Sequence, residues 1–344
     1  MAQDFAPHAG AGHTPGRIVV QHRDGYLVAT NDGELRARAS GRLLHEAEEG
    51  GYPAVGDWVA LSPALVEGAC TIHAVLPRRT AFVRRAADSQ RKVQVMAANI
   101  DVAFVVTSMN ADLNPRRIER YLAAAWQSGA RPVVVLTKSD LSTDPQGQTT
   151  EIAALAAGCP VLVVSARQHL GLDALLAQVR PGETCVMIGS SGVGKSTLVN
   201  TFLGEDRMAT EAIRGSDDQG RHTTSHRQLI LLPGGQLILD TPGIREVGLI
   251  DADEGVGVVF DDIERLAQDC RFNDCGHDNE PGCAVRGALE NGALDPARWA
   301  HFQKLALELT AAEEKADRAA KVATRRRSAF QKTPRTTKSS RGAD

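Results

Sequence analysis

Five short stretches of this chain carry residue types that can do chemistry. Gly189, Ser190, Ser191, Gly192, Val193, Gly194, Lys195, Ser196 and Thr197 fit the pattern G-x-x-x-x-G-K-S/T. Glycines at this spacing let consecutive backbone N–H groups curl around a phosphate. The lysine adds a cation for the β- and γ-phosphates, and Ser196 offers a hydroxyl to Mg²⁺. Asp240, Thr241, Pro242 and Gly243 form a second stretch. There Asp240 would hold Mg²⁺ through water and the Gly243 N–H would meet a γ-phosphate. Thr137, Lys138, Ser139 and Asp140 form a third. Asp140 could accept from both N1 and the exocyclic amine of guanine, a donor pair adenine lacks, while Lys138 lies along the base. Ser165 and Ala166 supply a backbone N–H for the guanine oxygen. Cys270, Cys275, His277 and Cys283 are three thiolates and one imidazole within fourteen residues. That donor set suits one tetrahedral Zn²⁺ per chain, with no position left open, so the metal would be structural.

The order of these stretches is as informative as their content. An ordinary GTPase runs phosphate loop, metal contact, base reader. Here the base reader comes first, the phosphate loop second and the metal contact third, as in a circularly permuted domain.

Each nucleotide motif ends an apolar run that reads as a strand. Strands are predicted at 101–107, 132–136, 160–164, 184–188, 227–232 and 236–240, alternating with helices. This implies a mostly parallel sheet covered on both faces. Ahead of it, from Arg17 to Leu76, short β-type runs alternate with turn signals such as Asp24-Gly25 and Asn31-Asp32-Gly33. Five such strands in about sixty residues predict a small barrel of OB type. The fold class is therefore multi-domain: an N-terminal OB-fold β-barrel, a central α/β P-loop GTPase domain, circularly permuted, and a C-terminal helical zinc-binding domain. The expected partition is a mobile N-terminus over 1–15, the barrel over 16–77 and a basic linker over 78–98. The permuted GTPase domain then covers 99–250, the zinc-binding and helical domain 251–314, and a basic tail that is disordered when free 315–344. A helix is predicted over 295–314.

Composition sets the outer limits. The 344 residues are 42% hydrophobic with a net charge of -3, which describes a globular body with no overall bias toward polyanions. The last thirty residues differ, with ten Lys or Arg against two Asp. Such a tail suits RNA phosphates. Of the six cysteines, Cys270, Cys275 and Cys283 cluster with His277 while Cys70, Cys159 and Cys185 are scattered, which fits metal binding in a reducing compartment better than a disulfide framework. No run approaches a membrane span and the first residues lack a signal-peptide pattern. A cytoplasmic protein without a membrane partner is expected. Nothing in the sequence requires a dimer, and a monomer is expected.

With these motifs in view, the chain resembles the RsgA/YjeQ family of circularly permuted GTPases over nearly its whole length. The resemblance rests on Pro53-Ala54-Val55-Gly56-Asp57-Trp58, the permuted motif order, Gly220-Arg221-His222-Thr223-Thr224 and the C-x4-C-x-H-x5-C spacing. It implies GTP hydrolysis coupled to late maturation of the small (30S) ribosomal subunit, GTP-dependent docking on its rRNA and stimulation by the subunit. One departure stands out: the family usually has Asn where this chain has Thr137. Ile244 occupies the position after D-T-P-G where many GTPases have a water-orienting Gln. His222 is then the local candidate for positioning water, and Thr223 or Thr224 for the Mg²⁺ and γ-phosphate contact of the first switch. Two other readings stay open at this level: an RNA-binding factor gated by nucleotide with negligible turnover, and an ATP-using P-loop enzyme.

Overall fold

The computed structural model describes residues 2–22, 24–46, 51–62, 69–85, 93–110, 113–156, 158–205, 227–240, 253–311 and 314. Helix α1 (Ala2–Gly10), over residues expected to be mobile, buries no side chain; it is followed by β1 (Thr14–Gln21), β2 (Tyr26–Thr30) and β3 (Gly33–Ala39). Helix α2 (Gly41–Glu46) leads to β4 (Trp58–Leu61) and β5 (Cys70–Val75). The strands pair β1–β2–β3–β5–β4, and β4 returns to β1, so the sheet closes on itself; only β3 and β5 run parallel. Glu34, Arg36 and Arg38 face solvent along β3 while Ala37 is buried, the alternation a one-sided strand requires. Ile18, Val28, Val59, Leu61 and Ile72 fill the barrel.

The segment read as a basic linker contains a hairpin, β6 (Ala81–Arg85) with β7 (Val93–Ala98). Of its apolar residues, Phe82, Met96 and Ala97 join the main core, and Val95 and Ala98 pack with Ala54. Interspersed arginines mask that pattern in the sequence, and several are structural. Arg78 holds the fully buried Asp57 with Nε and Nη2, each at 2.7 Å. Arg79 donates to Asp101 at 3.1 Å. Desolvation raises the Asp57 carboxyl, while the bonds from Arg78 and the Ala54 N–H oppose that rise. A side chain at Gly56 would meet the Ala98 carbonyl at 2.1 Å, and its φ of +93° is one that other residues rarely adopt. The Pro53–Trp58 stretch is thus a packing joint between barrel and hairpin.

Beyond Asp101 the pattern changes. In chain order come β8 (Val102–Ser108), α3 (Pro115–Gln127), β9 (Arg131–Thr137), a 3-10 turn (Ser139–Leu141), α4 (Pro145–Leu155), β10 (Val161–Val163) and α5 (Leu172–Leu176). They are followed by β11 (Thr184–Ile188), α6 (Lys195–Leu203), β12 (Arg227–Leu231) and β13 (Leu237–Asp240). The sheet order is β10-β9-β8-β11-β13-β12, parallel except for β12. All seven residues of β8 and all five of β11 are buried, as strands covered on both faces must be. Asn114 caps α3 by accepting from the Arg117 N–H at 3.2 Å, with Pro115 in the first turn.

The sheet does not stop at β12. That strand pairs antiparallel with β1, matching Val20 with Gln228 and Gln21 with Arg227, so barrel and nucleotide sheet are continuous. Arg17 reinforces the joint by donating to Thr184 Oγ1 at 2.7 Å; burial draws its guanidinium down to about 10.

The C-terminal part holds α7 (Asp253–Val259), α8 (Asp261–Gln268), α9 (Ala284–Glu290) and α10 (296–311). Val259, Phe260, Ile263, Val285, Leu305 and Leu309 form its core. It is fastened to α3 by polar bonds. Arg120 grips Glu308 at 2.7 and 3.2 Å, and Gln127 accepts from the Gly255 N–H at 3.2 Å. Among the described residues, no helix is long and apolar enough to cross a membrane.

Candidate nucleotide site and metal centre

The phosphate loop links the C-terminal end of central strand β11 to the first turn of α6. Gly189 opens it with φ +148°, where a Cβ would lie 2.1 Å from the Val106 carbonyl on neighbouring β8. Only glycine lets the chain leave the sheet this close to its neighbour. Lys195, at the start of α6, is buried; its Nζ donates to the Gly189 carbonyl at 2.7 Å and to that of Ser190. The ammonium thus lies over the loop. Ser196 and Thr197 occupy the first turn of α6, where N–H groups and the helix dipole favour an anion. Ser190 Oγ lies 3.5 Å from the hydroxyl of Tyr121 on α3.

The base-reading residues follow β9, two strands away. Lys138 adopts φ +56°, a left-handed turn, and its Nζ donates to the Gly192 carbonyl at 2.6 Å. Thr137 Oγ1 donates to the Val193 carbonyl at 2.6 Å and lies 3.1 Å from that of Thr107. Base reader and phosphate loop are therefore bonded directly, 54 and 56 residues apart in sequence. The Ser165 hydroxyl, just past β10, donates to Asp140 Oδ1 at 2.6 Å and orients the carboxylate. The Ser165 N–H donates to the Leu170 carbonyl at 3.1 Å. Ser139 is buried beneath the turn, its N–H on the Val164 carbonyl at 3.3 Å.

Asp240 ends β13. Its neighbour Leu239 pairs with Val186 of β11, so Asp240 emerges at the same end of the sheet as Gly189. This places a carboxylate, the α6 serine and the loop on one rim, a donor set that fits Mg²⁺ beside phosphate. His222, Thr223, Thr224, Gly243 and Ile244 lie outside the described residues.

The four metal-ligand candidates converge in the C-terminal part. Their ligand atoms all lie within 4.8 Å of one another. Nδ1 of His277 is 3.6 Å from Cys270 Sγ and 3.5 Å from Cys283 Sγ, and the two sulfurs are 3.9 Å apart. Burial would raise the Cys270 thiol, but bonds from the Val285 and Ala284 N–H groups hold it below its ordinary value. Three sulfurs, one imidazole nitrogen and N–H donors to sulfur fit a closed zinc site. Glu280, read from the sequence only as part of a Glu280-Pro281-Gly282 turn that returns Cys283 to the other ligands, shapes this loop. The Glu280 carboxylate accepts from the N–H groups of Gly276, Asp278 and Asn279 at 2.9, 3.0 and 3.1 Å; its own N–H first, and then these bonds, hold it below the usual carboxylate range. Its signal was available as an acidic residue beside Pro281-Gly282 inside the ligand spacing.

Comparison with known proteins matches this geometry. Residues 75–250 match the family model for the RsgA GTPase. A small ribosomal subunit biogenesis GTPase RsgA from Opitutus terrae is 47% identical over 327 residues, covering 92% of this chain and 89% of the relative. The chain belongs to the RsgA GTPase family. Its enzymatic activity is GTP hydrolysis. Among solved structures, YjeQ from Thermotoga maritima aligns with a TM-score of 0.65 and 25% identity, covering 87% of this chain and 99% of that one. YloQ, described as a circularly permuted GTPase, aligns with a TM-score of 0.61 at 22% identity over 87% of this chain and 95% of its own. The RsgA-type permutation explains how β8, β9 and β10, earliest in the nucleotide sheet, lie to one side of the phosphate strand while β13 and β12 lie to the other.

Proposed function

We propose that this GTPase acts in late maturation of the small ribosomal subunit, docking on its rRNA in the GTP state and hydrolysing faster when docked. Support for the subunit comes from relatives that bear that role in their names. Support for nucleotide gating comes from one observation above all: the base reader is bonded to the phosphate loop through Thr137 and Lys138. Occupancy by a guanine nucleotide is thereby registered by both stretches together.

In this reading Asp140 accepts from N1 and the exocyclic amine of guanine, with Ser165 holding its orientation. The Ala166 N–H reads the guanine oxygen, since that of Ser165 is engaged by Leu170. The N–H groups of residues 189–197 cradle phosphate, and Lys195 transfers its hydrogen bonds from loop carbonyls to phosphate oxygens. Ser196, Thr223 and Asp240 would hold Mg²⁺, which when bound neutralises charge on the β- and γ-phosphates. The Gly243 N–H and Thr224 contact the γ-phosphate, and His222 positions the attacking water. Cys270, Cys275, His277 and Cys283 would hold one structural Zn²⁺. The basic residues of 315–344 contact rRNA phosphates. The domain limits proposed are those drawn from the sequence, with the 81–98 hairpin lying between barrel and nucleotide sheet.

The test is GTP turnover with and without purified small subunits, in wild type and His222→Ala. Turnover should rise with subunits and fall in the variant while GTP affinity holds. Unchanged turnover on adding subunits would overturn the docking model, and unchanged turnover in His222→Ala would remove that residue from the mechanism.

A further inference from the structure

Arg227 begins β12 at the point where three parts of the molecule meet. Its Nη1 donates to Gln21 Oε1 on barrel strand β1 at 3.2 Å and to the Val95 carbonyl on hairpin strand β7 at 3.4 Å. Its Nη2 lies 3.1 Å from Met96 Sδ. All three acceptors are neutral, and both burial and the charge of Arg84 weigh against the guanidinium there. A cation held half-buried among neutral acceptors is set by geometry rather than by ion pairing. The next residue, Gln228, is the cross-strand partner of Asp240 and also of Val20 on β1. One position on β12 therefore borders the rim of the nucleotide site on one side and the barrel on the other.

We propose that Arg227 is a positioning residue that locks the β12–β13 hairpin to the barrel, so that Asp240 is held in register and the barrel responds to the nucleotide through β12–β1. This rests on the reading of Asp240 as a magnesium contact. The route is separate from the metal-bearing helices, which touch the nucleotide sheet through α3. A guanidinium reaches three acceptors on two strands at once; no shorter or uncharged side chain does.

The experiment uses the full-length, zinc-loaded protein. Amide exchange at Val20 and Gln21 is compared between GDP and a non-hydrolysable GTP analogue with Mg²⁺, alongside the Mg²⁺ concentration that half-saturates turnover. In wild type the analogue should slow exchange in β1. In Arg227→Gln that difference should vanish and half-saturating Mg²⁺ should rise about ten-fold, as loss of charge-assisted hydrogen bonds implies, while Mg²⁺-free GDP affinity stays level. Gln21→Ala removes the barrel acceptor and leaves the two on β7, so it should abolish the β1 response and raise half-saturating Mg²⁺ by less than Arg227→Gln does; it carries the test if Arg227→Gln does not fold. A wild-type β1 response in either variant, or no response in wild type, overturns the proposal. Asp240→Ala separates the two readings: if Mg²⁺ dependence survives there, the metal-contact assignment falls, whatever β1 does.

Discussion

Glu119 on α3 accepts a hydrogen bond from Nδ1 of His301 on α10 at 2.7 Å, across 182 residues of chain. The same carboxylate, only 1% exposed, accepts from Arg298 Nη1. Arg298 in turn grips Asp262 at 2.7 and 2.8 Å and lies over the Phe260 ring. A buried polar cluster thus fastens the metal-bearing helices to the nucleotide sheet. Removing Glu119 takes the carboxylate from the buried His301 ring and leaves Arg298 only Asp262 and the Val259 carbonyl, so Glu119→Ala should cost about 3 kcal/mol of stability. Glu119→Gln, which keeps an acceptor, should cost less. Denaturant unfolding of the zinc-loaded protein measures both, and equal stability in all three forms would deny the cluster its fastening role.

Ser165 should matter to base choice chiefly through Asp140, to which its hydroxyl donates at 2.6 Å while accepting from the Gln168 N–H at 3.2 Å. Ser165→Ala removes a hydrogen bond to a carboxylate and should lower GTP affinity roughly ten-fold. ATP binding should be unaffected, and Asp140→Ala should erase the preference for GTP. Competition of GTP against ATP reads both, and an intact preference in Asp140→Ala would refute the guanine assignment.

Thr137 has one hydroxyl proton facing two carbonyls, those of Val193 and Thr107. An asparagine amide carries two N–H groups and could serve both. Thr137→Asn should therefore keep or raise GTP affinity, whereas Thr137→Val, with no donor, should lower it. Titration calorimetry on the pair decides; a valine variant that binds as tightly as wild type would show the bridge to be idle.

Zinc removal should be visible at Trp299. Its ring lies 5.7 Å from that of His277, edge to face, and stacks on Phe302 at 5.6 Å. Chelation should change its fluorescence as the ligand loop unfolds, while GTP binding persists. Trp299→Phe should abolish that signal. Loss of nucleotide on chelation would instead tie the metal to the nucleotide site itself.

Acid should weaken the grip on Asp262. Burial would raise its carboxyl, but the hydrogen bonds and charge of Arg298 outweigh that and hold it below the ordinary value. A depressed carboxyl stabilises the fold above its unfolded value, near 4, and the contribution disappears as pH falls through the folded value. The stability gap between wild type and Asp262→Asn should therefore be full at neutral pH and close below about pH 4. A gap that stays constant down the acid limb would exclude this linkage.

Much of this was legible in the residues. The strands ending at Thr137, Ile188 and Asp240 were marked by unbroken apolar runs next to motif residues, because strands covered on both faces leave no room for polar side chains. The barrel was legible in alternation and turns. What escaped were relationships between distant positions. Asp57 reads as a turn residue, and nothing local reveals Arg78 as its partner. Arg84 and Arg85 disguised a hairpin as a connector. Likewise, Glu119 is one acid among several polar residues on α3, and its burial depends on Arg298 and His301 far downstream. Hydrophobic period exposes elements, whereas buried charge reveals itself only once the chain has folded back on itself.

The permuted strand order also governs how the molecule can be assembled during synthesis. The strands of the base reader leave the ribosome before β11, the central strand that β8 must pair with. Until then an edge of seven residues, the first five of them apolar, stands open beside a finished barrel, and nascent chains halted before residue 184 would be prone to pair with one another. The barrel in turn waits some two hundred residues, from Gln21 to Arg227, for the strand that joins it to the sheet.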